Sequence, residues 1–145
     1  MTSQYYGFAN PKKGTITLEA GLEPSRHAEE ISMAEYLHTM FGGEITLLNE
    51  ANLDKVKTAD FLWNKKLWDL KTVTTEKAAD SAIRKGLKQI KSNPGGIILD
   101  YRNREVSLEN LLTVIEGRMR RGFEYDTDIM VILDDKTVKV YRYKK

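Results

Sequence analysis

The stretch ADFLWNKKLWDLK, residues 59–71, decides the fold because it holds two strand-like runs on either side of one turn-forming pair. Asn64-Lys65 lies between two runs that contain large apolar residues, and Asn is favoured in the two-residue loops of β-hairpins. If these two residues form the loop, residues equally distant from it face each other across the hairpin. The pattern therefore predicts that Asp60 lies directly opposite Asp69.

The predicted hairpin collects charged groups on one side of the sheet. Directly opposed residues have Cβ atoms about 4.5–5.5 Å apart, a distance at which like charges destabilise strand pairing. Lys71 projects from the same face as Asp69, because side chains alternate along a strand. The alternatives are an exposed face on which Lys71 simply neutralises the acids, or a three-residue loop that pairs Asp60 with Leu70. We interpret the two carboxylates and the ammonium as a candidate active site.

This group of residues suits two kinds of phosphodiester chemistry. In the first, Asp60 and Asp69 bind Mg²⁺ or Mn²⁺, and Lys71 orients the attacking water or stabilises the transition state. In the second no metal is needed: a carboxylate or Lys71 transfers a proton while a ribose 2′-hydroxyl attacks, which restricts the reaction to RNA. A third hypothesis, from another class, is a non-catalytic module that binds nucleic acid or protein.

Outward from the hairpin, hydrophobic periodicity predicts three amphipathic helices among short strands. The predicted order is α-β-β-β-α-β-α-β-β, an α+β single domain with a mainly antiparallel or mixed β-sheet. A further short strand is expected at 15–18, and a turn-rich link at 49–58. The segments are a helix from 23–25 to Gly42-Gly43, strands 44–48, 60–63 and 67–73, a helix capped by Thr74 or Thr75 and ended by Asn93-Pro94-Gly95-Gly96, strand 97–99, a helix from Ser107 to Gly122, and a hairpin of 128–133 with 137–143.

The composition is that of an ordinary globular domain. The chain has 145 residues, 41% of them hydrophobic and 30% charged, and it has no apolar run long enough to span a membrane. It begins without the apolar segment of a secretory signal, so we expect a cytoplasmic site of action, with delivery or secretion only by a route that the sequence does not show. With no cysteine in the chain, thiolate catalysis and zinc–thiolate sites are excluded.

Charge is distributed unevenly behind a net value of +2. Residues 19–54 hold eight acids and one base, whereas residues 65–91 hold eight bases and three acids. Such blocks can form an acidic and a basic face, and a basic face suits a polyanion.

Five residues outside the hairpin are further candidates. Arg84, Lys85 and Lys88 lie on the polar side of the second predicted helix, directly after the strand that carries the candidate lysine. Arg102 follows the buried strand, and we expect all four cations to contact substrate phosphates. His27 lies beside two glutamates at a helix start, where it can act as a general acid or base.

Four segments resemble the C-terminal tRNase domains of contact-dependent growth-inhibition toxins of the CdiA type and related phage-borne domains, which are grouped with the Barnase–EndoU–colicin–RelE-like nucleases. The likeness runs from about 27 to 143. The shorter pattern ADFLW…LWDLK also resembles the D…(D/E)-x-K motif of PD-(D/E)xK nucleases, whose core has the same α-β-β-β-α-β order. The four segments are HAEEISMAEYLHTMFGGEITLLNE, KTADFLWNKKLWDLKTVTT, AIRKGLKQI and GGIILDYRN.

The toxin resemblance, which spans more of the chain, implies a metal-independent ribonuclease toxin that acts on RNA, with tRNA as the expected substrate and a cognate immunity protein as partner. It implies no cofactor, whereas the PD-(D/E)xK resemblance implies Mg²⁺ or Mn²⁺ on Asp60 and Asp69. Ala59 stands where such domains often have Pro, and Asp69 where they often have Glu. We therefore expect an N-terminal extension at 1–22 and a nuclease-like domain at 23–145. Carried over by position, the toxin resemblance marks Trp68 for substrate binding and, as further functional residues, Asp60, Asp69, Lys71, Thr72, Gln89 and Asp100.

Overall fold

The computed structural model describes residues 10–49 and 59–145. Within these two ranges the chain forms three α-helices, seven β-strands and a short 3-10 turn at Pro24–Arg26. The helices are α1 (Ala28–Met40), α2 (Ala79–Ile90) and α3 (Leu108–Arg120). The strands are β1 (Ile16–Leu18), β2 (Ile45–Leu47), β3 (Phe61–Trp63), β4 (Lys66–Thr72), β5 (Pro94–Asp100), β6 (Thr127–Ile132) and β7 (Val138–Tyr143).

The strands lie side by side in chain order in one sheet, from β1 at one edge to β7 at the other. Neighbours β1–β2, β4–β5 and β5–β6 are parallel, while β2–β3, β3–β4 and β6–β7 are antiparallel. The mixed sheet with three helices confirms the predicted α+β class and element order. β1 belongs to this sheet, so part of the predicted N-terminal extension supplies its edge strand.

The β3–β4 hairpin has the predicted two-residue turn. Asn64 and Lys65 both have positive φ angles, 48° and 70°, which is the left-handed backbone that a tight hairpin turn requires. Asn64 also ties the turn to β2, because its backbone N–H donates to the Glu44 carbonyl and its Oδ1 accepts from the Glu44 N–H. Phe61 faces Trp68 across the hairpin. The predicted register is confirmed.

The helices cover the two faces of the sheet unequally. α1 packs on one face, here called the α1 face, through its buried residues Met33, Ala34 and Leu37. α2 and α3 pack together on the other, the α2–α3 face, over a separate core. Successive residues of a strand point to opposite faces. In β4, Trp68 accordingly joins the α1-side core and nearby Val73 the core under α2 and α3.

Three predicted boundaries are wrong. The first helix begins at Ala28, because residues 24–26 form a separate 3-10 turn. Thr75 accepts a hydrogen bond from the Ala78 N–H, but α2 begins only at Ala79 and has no side-chain cap, so Thr75 stabilises the preceding turn. Pro94 was expected to belong to a helix-ending loop, yet it begins β5 because the neighbouring Leu67 pairs with it. Ser107 does cap α3, accepting from the Asn110 N–H. Residues 50–58 of the predicted link lie outside the described residues.

Candidate active site

Asp60 and Asp69 lie opposite each other on the α2–α3 face. They form the next pair outward from Phe61–Trp68, as the two-residue turn requires. Asp69 is only 1% exposed, and a Cβ added at Gly86 of α2 would lie 3.4 Å from its Oδ2 atom. α2 therefore lies in van der Waals contact range of the buried carboxylate at Gly86.

Lys71 provides the positive charge of the site. Its Nζ lies 2.9 Å from Asp69 Oδ2, and 21% of the lysine side chain is exposed, against 2% for the aspartate. The ion pair is therefore buried at its acidic end and open to solvent at its basic end. Asp60, Asp69 and Lys71 are brought together as the sequence predicted.

The two carboxyl groups do not ionise independently. Burial, the charge of Asp69 and a hydrogen bond between the two side chains raise the pKa of Asp60 from 3.8 to about 8. The Leu70 N–H, which donates to Asp60 Oδ2 at 2.7 Å, acts in the opposite direction. At neutral pH Asp60 therefore retains its proton, which lies in the hydrogen bond between the two carboxyl groups.

The N-terminus of α1 approaches the same end of β4. The negative charge of Glu30 contributes to the raised pKa of Asp60, and Thr72 donates a hydrogen bond to Glu29 Oε2 at 3.1 Å. Sequence reasoning used Glu30 only as a helix-start residue, since its proximity to Asp60 depends on how α1 packs across the sheet. His27 precedes the helix, with Nδ1 3.6 Å from Glu30 Oε1.

A groove of about 510 Å³ lies beside Thr72 at the ends of the central strands. Its wall contains Asp100 and Arg102, whose guanidinium binds the carboxylate through two contacts of 3.0 Å. Arg102 also donates to Ser32 Oγ at 3.2 Å. The predicted phosphate-contacting arginine is thus held in a fixed position, and its role in substrate binding stays a prediction.

The other predicted site residues lie farther from Asp60, Asp69 and Lys71. Trp68 and Thr72 lie on the α1 face, because both are an odd number of positions from Asp69. Gln89 is half-buried on α2, one turn beyond the glycine that faces Asp69. The three predicted cations of α2 are exposed on its outer side, Arg84 with an ion pair to Asp80. These cations are Arg84, Lys85 and Lys88.

Asp60 and Asp69 are the residues that fit a divalent metal ion. Both offer only oxygen ligands, which Mg²⁺ and Mn²⁺ prefer, and a pair held together by a proton can instead be held by a cation. Among the residues that the structure describes, no cluster of three or more His, Asp or Glu side chains could hold a metal. Magnesium sites commonly use one or two carboxylates and take their remaining ligands from water and substrate phosphate.

No helix in the two described ranges is both long enough and apolar enough to cross a membrane.

Comparison with solved structures identifies a similar fold in a chain of the CdiA-CT/CdiI toxin and immunity complex from Burkholderia pseudomallei. The TM-score is 0.56 at 15% sequence identity, and the match covers 87% of this chain and 98% of that chain. Neither a protein-family profile nor a curated protein sequence matches the chain. At this level of identity, what the chain shares with a component of a toxin–immunity complex is the fold.

Proposed function

We propose that this chain is a nuclease of the toxin type that cleaves RNA with Asp60, Asp69 and Lys71. The observation that carries the proposal is the buried carboxyl pair with an ammonium group 2.9 Å from one of its members. A packed sheet gains no stability from opposed carboxyl groups. Perturbed pKa values at a specific charge cluster are a physical mark of an active site.

The toxin part of the proposal rests on the fold. The solved complex that shares it joins a toxin to its immunity protein. A long stretch of this sequence also resembles tRNases of contact-dependent growth-inhibition toxins, which makes tRNA the first RNA to test. We accordingly propose delivery into a target cell and a cognate immunity protein as partner.

Among the two phosphodiester chemistries, the geometry favours the one that uses a divalent cation. Asp60 and Asp69 would hold the ion, which supplies an activated water and neutralises charge on the phosphate. Lys71 pairs with Asp69 at 2.9 Å and keeps part of its side chain exposed to solvent, where a phosphate oxygen can accept from its ammonium group. Binding of the cation would displace a proton from the pair. That proton belongs to Asp60, because the pKa of Asp60 is raised to about 8.

The metal-independent route is the second candidate, and one observation favours it. A carboxyl group with a pKa of about 8 holds its proton at neutral pH and can donate it to a leaving oxygen. In this route Lys71 stabilises charge on the phosphate while the ribose 2′-hydroxyl attacks. The two candidates share their residues and differ in their dependence on metal.

A cleavage assay on tRNA separates the candidates. The protein is incubated with tRNA in Mg²⁺ or in EDTA, beside Lys71→Ala and the control Lys65→Asn, which changes an exposed turn lysine to a residue that tolerates positive φ. Cleavage only with Mg²⁺ supports the metal-dependent route, and cleavage in EDTA supports the second candidate. If neither condition gives cleavage while binding remains salt-sensitive, the chain is a binding module and the proposal is wrong.

Growth provides an independent test of toxicity. Expression of the wild-type chain in a bacterial cytoplasm should arrest growth, whereas Lys71→Ala should be tolerated at the same protein level. Equal growth of both strains would contradict the toxin proposal even if cleavage occurs in vitro.

A further inference from the structure

A second concave site lies on the α1 face, at the turn end of the β3–β4 hairpin. This aromatic pocket, about 500 Å³ in volume, is walled by Phe41, Trp63 and Trp68, with Lys66 and Arg142 at its rim. It is unrelated to the carboxylate pair, which projects from the other face of β4. A volume of this size falls within the range of small-molecule sites, about 300–1,000 Å³.

The aromatic walls of the pocket are fixed in place. The Trp63 and Trp68 ring centroids are 5.1 Å apart, and Phe41 and Trp63 are 5.7 Å apart. Trp63 Nε1 donates to the Gly42 carbonyl at 3.0 Å. A Cβ added at Gly96 would lie 2.4 Å from the Trp68 ring, so this glycine of β5 makes room for the indole. The aromatic groups are therefore fixed before any ligand arrives, and each keeps 5% of its surface exposed.

The polar groups of the pocket divide into paired and unpaired ones. Arg142 binds Asp128 through contacts of 2.7 and 2.9 Å, and Lys144 lies 3.6 Å from Asp126. Lys66 has no ion pair, and Trp68 Nε1 has no hydrogen bond, with any residue in the described ranges. The available donors are thus an ammonium and an indole N–H, next to acidic groups that can still accept hydrogen bonds.

The arrangement of this pocket points to a nucleotide as its ligand, and we propose that it binds one. A planar base packs against aromatic side chains whatever its identity. The phosphate is a strong acceptor for the unpaired Lys66 and the Trp68 N–H. Asp126 and Asp128 can accept from exocyclic amino groups of the base. Such a site would hold either a free mononucleotide or one nucleotide of a bound RNA, away from the site of cleavage.

Intrinsic fluorescence tests the proposal directly, because the chain has two tryptophans and both line the pocket. AMP, GMP, CMP and UMP are titrated with excitation at the red edge of indole absorption, where nucleotides do not absorb. A short RNA is titrated in parallel into Lys71→Ala, which prevents its cleavage. A saturable change with mononucleotides identifies the free ligand, and a change with RNA alone identifies a nucleotide within the bound strand.

Variants of Lys66 decide whether the signal belongs to this pocket. Lys66 is exposed and unpaired, so its replacement should leave the fold intact. Lys66→Gln should weaken binding about tenfold, the value of one charge-assisted hydrogen bond, while Lys66→Arg and the adjacent control Lys65→Asn should retain it. No fluorescence change with either ligand, or a change that Lys66→Gln leaves unaffected, would overturn the proposal. The readout is independent of cleavage, so it stands apart from the proposed nuclease activity.

Discussion

The two faces of the sheet differ in how their buried acids are paired. On the α2–α3 face, Asp69 is buried against another acid and is stabilised by one lysine. On the α1 face, Asp128 of β6, which is level with Trp68 in the sheet, is bound at both oxygens by Arg142. Arg142 neutralises Asp128, whereas the Asp60–Asp69 pair retains a proton that a cation or a reaction can remove. The difference shows which buried acids of this molecule are available for chemistry.

The largest effect on RNA cleavage should come from replacing Lys71, which pairs with the buried Asp69 on the α2–α3 face. Lys71→Ala removes the cation beside Asp69 and should lower the rate of RNA cleavage about 100- to 1,000-fold. Because Asp69 is buried and loses its cation, the variant should also lose about 3 kcal/mol of folding stability. Gel assays of tRNA cleavage and chemical denaturation measure the two quantities. Cleavage within a few-fold of wild type would remove Lys71 from the site.

Asp60 should make the stability of the protein depend on pH. Its pKa rises from 3.8 to about 8 on folding, so the unfolded chain loses this proton at lower pH than the folded chain. Above pH 4 the raised pKa therefore costs stability, by about 1.4 kcal/mol per pH unit until the folded group also ionises near pH 8. Asp60→Asn should remove this slope and be more stable than wild type at pH 8.

Denaturant titrations at several pH values between 4 and 9 give that slope. Because Asn can still accept from the Leu70 N–H, the variant isolates the charge. A parallel pH dependence in wild type and Asp60→Asn would show that the carboxyl pair ionises independently, contrary to its geometry. Cleavage by Asp60→Asn should fall strongly in either nuclease mechanism.

Substitution of two glycines tests how tightly the side chains pack on the two faces of the sheet. Gly96→Ala places a methyl group 2.4 Å from Trp68 and 2.5 Å from the Asp128 carbonyl, and it should cost about 1–3 kcal/mol of unfolding free energy. Gly86→Ala meets Ile97 at 3.0 Å, but it gains about 1 kcal/mol of helix propensity. Thermal denaturation should therefore show a large loss for the first variant and a small change for the second. Equal losses would contradict this account of the packing.

The smallest effect concerns Thr72, which the toxin resemblance assigns to catalysis. Its side chain lies on the α1 face and donates to Glu29 at 3.1 Å in an exposed position. Thr72→Val should cost about 0.5 kcal/mol of stability and lower cleavage less than about threefold. A loss of cleavage comparable to that of Lys71→Ala would place Thr72 in the reaction. It would contradict the assignment of catalysis to the α2–α3 face alone.

Local patterns predicted most of what lies close together in the sequence. Asn64-Lys65 specified the turn, and the turn specified which residues oppose each other. Strand alternation separates Trp68 and Thr72 from Asp69. What could not be predicted depends on packing between distant segments: the approach of Glu30 to Asp60 needs the position of α1 across the sheet.

The same limit applies to the contact of Arg102 with Ser32 and to the aromatic pocket. Arg102 follows the buried strand in the sequence, which indicates a free cation at a strand end. Its contact with Ser32 arises only when α1 lies beside this strand end, whereas its two contacts with Asp100 join residues two positions apart. The pocket requires β7 beside β6, because Arg142 comes from the last strand of the chain.

The two-residue turn at Asn64-Lys65 has a consequence for how this domain can diversify. A single inserted residue would exchange the faces of β4 relative to β3, so the acid pair and the aromatic wall would be lost together. Substitutions can alter one face at a time, but changes of loop length cannot. Among homologues we therefore expect this loop to keep its length while its residues vary, and a single-residue insertion that shifts the pairing should abolish both cleavage and nucleotide binding.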